Sequence, residues 1–79
     1  MKFNKVSKQY KQLNMFIREE MRDQKISQEK LAYSLNIPQS GISDRLSGKA
    51  EWSHWEILNV FDILGIEFDY KKEIKDGKN

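Results

Sequence analysis

The sequence predicts an all-α domain, a bundle of four to five short helices with a short C-terminal extended segment or strand. Three observations carry this. Apolar residues recur at steps of three and four along most of the chain, the period of helices with one buried stripe. Breakers are sparse: Pro38 is the one proline, and the glycines are Gly41, Gly48, Gly65 and Gly77, which suits helices joined by tight turns. Capping residues stand ahead of the apolar runs, Ser27 before one and Ser53 with Glu56 before another, each able to satisfy amides that a helix start leaves free.

The first helix carries Val6, Tyr10, Leu13, Ile17 and Met21 on one face. It is expected to begin between Asn4 and Gln9 and to end near Gln24–Lys25. Ser27 caps the second, whose inner face is Leu31, Ala32 and Leu35. Asn36 follows, a residue that tolerates the left-handed conformation of a tight turn, and Ile37 points back to the core. Pro38 is expected at the first position of the third helix, where its missing N–H costs nothing. Ile42 and Leu46 anchor that helix and Gly48 stops it. Ser53 and Glu56 form a capping box that opens the fourth helix. Its expected buried stripe is Ile57, Leu58, Phe61 and Leu64, closed by Gly65. Ile66, Phe68 and Tyr70 then alternate with Glu67 and Asp69, a period of two. That reads as a short strand, or as an extended segment packed on the bundle.

Seventy-nine residues hold one domain. We divide the chain into a basic N-terminal arm or helix extension (1–12), a folded domain (13–70) and a flexible charged tail (71–79). There is no cysteine, which excludes disulfides, thiolate metal sites and a cysteine nucleophile and fits a reducing compartment. His54 is the only histidine. It is expected in the first turn of the fourth helix, with no thiol to activate. Asp62, Glu67 and Asp69 read as surface charges, and no glycine loop could cradle a phosphate. The chain is therefore not expected to be an enzyme, and neither a metal nor a cofactor is expected. No apolar run approaches the roughly 18 residues of a membrane span, and Met1-Lys2-Phe3-Asn4-Lys5 lacks a signal peptide's apolar stretch. A cytoplasmic protein is expected.

Net charge is only +2 but is unevenly spread. Residues 1–25 hold seven Lys/Arg against three Asp/Glu, whereas residues 51–79 hold four against seven. A basic front and an acidic back suggest one surface for an anionic polymer and another for something else; solvated helix faces are the alternative. Lys2, Lys5, Lys8 and Lys11 recur every third residue, and either touch phosphates or serve solubility.

The sharpest signal lies between Gln28 and Gly48. Two short helices separated by Asn36-Ile37-Pro38 suit a helix-turn-helix. Ala32 must be small, because the third helix crosses close to it. The matching stretches are Ser27-Gln28-Glu29-Lys30-Leu31-Ala32, then Leu35-Asn36-Ile37-Pro38-Gln39-Ser40-Gly41-Ile42-Ser43, then Leu46-Ser47-Gly48-Lys49. This pattern resembles the helix-turn-helix of phage Cro and repressor proteins and of the wider Xre-type regulator family. The resemblance runs on through Ser53, Glu56, Ile57-Leu58 and Leu64-Gly65-Ile66, roughly residues 13–69 in all.

The departures are informative. The family often has glycine where this chain has Lys25 and Asn36. Many members bury an Arg–Glu pair at the positions of Met21 and Leu46; here both are apolar, a joint change that strands no charge.

The resemblance implies a lambda-repressor-like bundle and a sequence-specific DNA-binding transcription regulator, a repressor, in a phage, prophage or plasmid setting. It would bind a pseudo-palindromic operator as a homodimer, with the third helix in the major groove. The residues of that helix turned away from Ile42 and Leu46 are Gln39, Ser40, Ser43, Asp44 and Ser47. Gln39 is the best base reader, since a glutamine amide can bond both N6 and N7 of adenine. Ser40 and Ser43 can reach a base or a phosphate. Asp44 can accept from cytosine N4 but repels phosphate. Arg45 either bonds a phosphate along the helix flank or pairs with a nearby acid. Gln28 resembles the family's phosphate-binding glutamine, and Lys49 falls in its backbone-contacting loop. Trp52 and Trp55 either close the bottom of the core or form an interface, as tryptophan does at hot spots; Phe68 and Tyr70 lean towards dimerisation. The rival reading is an antitoxin- or modulator-type protein that acts by binding another protein through its C-terminal half.

Overall fold

The computed structural model describes the backbone of residues 2–67 and the side chains of residues 8–67. It holds four helices: α1 (Lys2–Gln24), α2 (Gln28–Leu35), α3 (Gln39–Ser47) and α4 (His54–Leu64). Among the described residues there is no strand, and no helix is long and apolar enough to cross a membrane. The expected tail, Phe68 and Tyr70 lie outside the described residues.

The α1 start differs from the expectation. The helix begins at Lys2, and residues 2–12 are continuous with the rest of it. No glycine or proline precedes Val6, so nothing local breaks the helix once it is nucleated. Pro38 also sits one place earlier than expected, as the N-cap of α3, with φ −63° and ψ 151°.

All four helices stop in the same way. The residue after each last turn is left-handed: Lys25 and Asn36 at φ 60°, Gly48 at 92° and Gly65 at 71°. In each case the next amide reaches back over the final turn. Ile26 donates to the Met21 carbonyl at 2.8 Å, Ile37 to Ala32 at 3.1 Å, Lys49 to Asp44 at 2.8 Å and Ile66 to Phe61 at 2.8 Å. This closes carbonyls that a helix end leaves unmatched. Three of these four donors are isoleucines that pack against the core. The exception is Lys49, which is exposed.

The core takes one wholly buried side chain from each helix: Ile17, Leu31, Ile42 and Val60. Each contributes about 1.5–3 kcal/mol relative to exposure. Met21, Ala32, Leu46, Trp52 and Leu64 complete it, with Ile37 and Phe61 packed against the edge. Val60 corrects the expected α4 stripe. The helix is turned so that Val60 and Leu64 face inward, while Ile57, Leu58 and Phe61 are only half-buried. Apolar residues occur on more than one side of α4, so spacing alone does not choose between faces.

A lysine at φ 60° carries the left-handed penalty of an L-residue, about 1–2 kcal/mol, which glycine escapes. Lys25→Gly is expected to stabilise the fold by about 0.5–1 kcal/mol after its larger unfolded-state entropy is counted. Asn36→Gly is expected to gain less, because asparagine already tolerates that conformation. Paired urea melts measure both.

Candidate nucleic-acid interface

Three sides of α3 are committed to the fold. Ile42 and Leu46 face the core. Its C-terminal end is held from α1 by Asn14, whose Nδ2 donates to the Arg45 carbonyl at 3.0 Å. Its flank is tied to α4 by Arg45. The Arg45 Nε donates to Glu56 Oε1 at 2.8 Å and Nη2 to Oε2 at 3.2 Å, a two-pronged ion pair of the stronger kind. Nη1 turns back to the Gly41 carbonyl at 2.9 Å. A Cβ at Gly41 would sit 3.0 Å from that same Nη1, so the bare glycine leaves room for the guanidinium to lie along the helix.

Of the two roles open to Arg45, the structure therefore shows pairing with an acid. Glu56 also completes the capping box: its Oε1 accepts the Ser53 N–H at 2.9 Å, and Ser53 Oγ accepts the Glu56 N–H at 3.1 Å. The Arg45 guanidinium holds the Glu56 carboxyl below its ordinary value, and the same bond raises Arg45.

The remaining side of α3 is exposed. Gln39, Ser40, Ser43 and Ser47 are all open to solvent, and Asp44 is half-buried beside them. Ser40, Ser43 and Ser47 share one face by helical spacing. Ser47 spends its hydroxyl proton on the Asp44 carbonyl at 3.1 Å, which leaves its oxygen as an acceptor. No side chain caps the α3 start; the Gly41 N–H turns back to the Pro38 carbonyl at 2.9 Å, which leaves the Gln39 and Ser40 amides as the helix-start donors that favour an anion. Gln28 is the first residue of α2 and half-buried, behind Ser27, whose Oγ accepts the Lys30 N–H at 3.0 Å. Lys49 is exposed just past α3. His54 is exposed at the α4 start. Among the described residues no cluster of histidine and carboxylates is placed to hold a metal.

The two tryptophans divide. Trp52 is only 7% exposed and closes the core: its indole Nε1 donates to Asn14 Oδ1 at 2.8 Å, and its backbone N–H donates to the Tyr10 hydroxyl. Of the two roles open to Trp52, the structure shows closure of the core. Burial pushes the Tyr10 hydroxyl up from its ordinary value. Trp55 is 73% exposed and stays available to a partner.

Sequence reading missed Asn14 and the second duty of Glu56. A signal for Asn14 was present: it lies four residues after Tyr10 and three before Ile17, on the buried stripe. Comparison with protein-family models, curated proteins and solved structures finds no match for this chain.

The Arg45–Glu56 bond makes stability acid-sensitive. A carboxyl whose folded-state pKa is lowered stabilises fully above its ordinary value of 4.5 and loses that contribution as pH falls through the folded-state value. Glu56→Gln keeps the capping geometry but removes the charge. It is expected to cost about 1 kcal/mol at neutral pH. The gap from the parent should close as pH is lowered through the carboxylate range. Thermal melts of both proteins from neutral to acidic pH measure this.

Proposed function

We propose that this chain is a sequence-specific DNA-binding transcription regulator, a repressor, that presents α3 to the major groove through a helix-turn-helix. One observation carries the reading: α3 is anchored on three sides and keeps its fourth free, lined with Gln39, Ser40, Ser43 and Ser47. Those side chains are short or amide-tipped, which suits close approach to base edges. The supports around it agree. Asn36 makes the turn between α2 and α3 in a left-handed conformation. The Gln39 and Ser40 amides at the α3 start, with Gln28 and Lys49, are suited to phosphates on either side. Arg45 belongs to the scaffold in this reading.

One recognition helix buries too little surface for tight specific binding. A two-fold homodimer on a pseudo-palindromic operator doubles the contact and sets half-sites about one helical turn apart. Trp55 is the exposed aromatic on α4 and is the proposed dimer anchor. Its exposure also favours a second reading, a modulator that binds another protein through this half of the chain.

Selection of bound duplexes from a random pool tests DNA binding, symmetry and half-site spacing together. A pseudo-palindrome is the expected result; no enrichment leaves the modulator reading. On the selected operator, Gln39→Ala is expected to relax preference at one base pair per half-site and to cost about 1–3 kcal/mol. Equal loss on random DNA would assign Gln39 to the backbone instead. Trp55→Ala is expected to weaken binding to the whole operator more than to an isolated half-site. Titrations on both duplexes, with sedimentation, provide the check.

A further inference from the structure

Along α1 runs a second charged surface. With about 100° between successive residues, Lys8, Lys11, Arg18 and Arg22 fall within a sector of about 80°, spread over about 21 Å of helix. All four are exposed. The single ion pair among the described residues is Arg45–Glu56, so none of these four cations is bonded to a described carboxylate. Glu19 stands at the edge of the sector, while Glu20 and Asp23 lie farther round. Lys25, exposed just past the helix end, adds a fifth positive charge.

This surface is continuous with α3. A groove is walled by Lys11, Met15 and Arg18 on one side and by Ser47 and Gly48 on the other, with Glu51 also lining it. Ser47 belongs both to this groove and to the free face of α3. The charged face and the free face therefore meet at the C-terminal end of α3, next to Lys49.

We infer that the Lys8–Arg22 face of α1 is a rail for the phosphate backbone of duplex DNA, engaged beyond the base pairs that α3 reads. This rests on the DNA-binding reading above and adds a second contact to it. The chemistry of the stripe selects this partner. A helix that docks into a protein groove needs several apolar anchors at i, i+3, i+4 and i+7, whereas Met15 is the one apolar residue in the described part of this sector. Cations that outnumber the acids beside them, repeated along a rigid rod, match a polymer that carries one charge per about 1.7 Å of duplex axis. Their field fades within about 8 Å at physiological salt, so they act by contact. Such a contact is blind to sequence and strengthens binding to all duplexes alike.

The test uses the full chain and its Lys11→Gln/Arg18→Gln and Lys8→Gln/Arg22→Gln variants, all surface changes whose helix content is checked by circular dichroism. Affinity for the selected operator and for an unrelated duplex is measured from about 50 to 200 mM salt. Each double variant is expected to lower the slope of log affinity against log salt by about two on both duplexes, with discrimination between them unchanged. Gln39→Ala is the contrasting control, expected to change discrimination and leave the slope. Folded variants with the parent's slope and affinity would overturn the rail and leave the α3 reading standing. A lowered slope alongside a Gln39→Ala protein that discriminates normally would keep the rail and count against Gln39 as reader. A parent chain that binds neither duplex would overturn both.

Discussion

Asn14 sits where α1, the end of α3 and the following loop meet. Among the described residues it is the one buried polar side chain, and both ends of its amide are used. Nδ2 takes the Arg45 carbonyl and Oδ1 takes the Trp52 indole N–H. An amide in an apolar surround tolerates little error, because an unmet donor or acceptor there costs about 1–3 kcal/mol. The position of α3 against α1 is thereby set by hydrogen-bond geometry as well as by packing. Trp52 is drawn in by the same bond and by its backbone N–H to Tyr10. It covers the end of the core that the open loop between α3 and α4 would otherwise expose.

A second strut works from the opposite side. Glu56 starts α4 as a capping residue and, with the same carboxylate, grips Arg45 in the last turn of α3. Gly41 is part of this device, since a methyl group there would crowd the guanidinium. α3 is thus held by α1 through a neutral amide and by α4 through a charge pair. The fixed sides explain why its outer face can carry residues with almost no role in folding.

Charge is divided along the same lines. Positive side chains concentrate on one face of α1 and just past α3, while Glu56 and Asp62 lie on α4. In α4 the acids do structural duty at the helix start or face solvent. The basic face of α1 has no such duty inside the fold.

Much of the architecture was legible in local sequence. Ser27, and Ser53 with Glu56, marked helix starts because their bonds span three residues. Asn36, Gly48 and Gly65 marked helix ends because they take a left-handed backbone readily. The stripe from Tyr10 to Met21 and the four-residue spacing of Ile42 and Leu46 located core residues by period alone. The tertiary structure decided the rest. The partners of Asn14 lie 31 and 38 residues away, and Glu56 lies 11 residues beyond Arg45 on another helix. Whether Trp52 faces in or out, which side of α4 turns inward, and whether Arg45 is free or paired depend on how separate helices meet. A local pattern reports the period of a helix and its ends. It does not report which neighbour stands against each face, because that choice is made by the packing of all four helices at once.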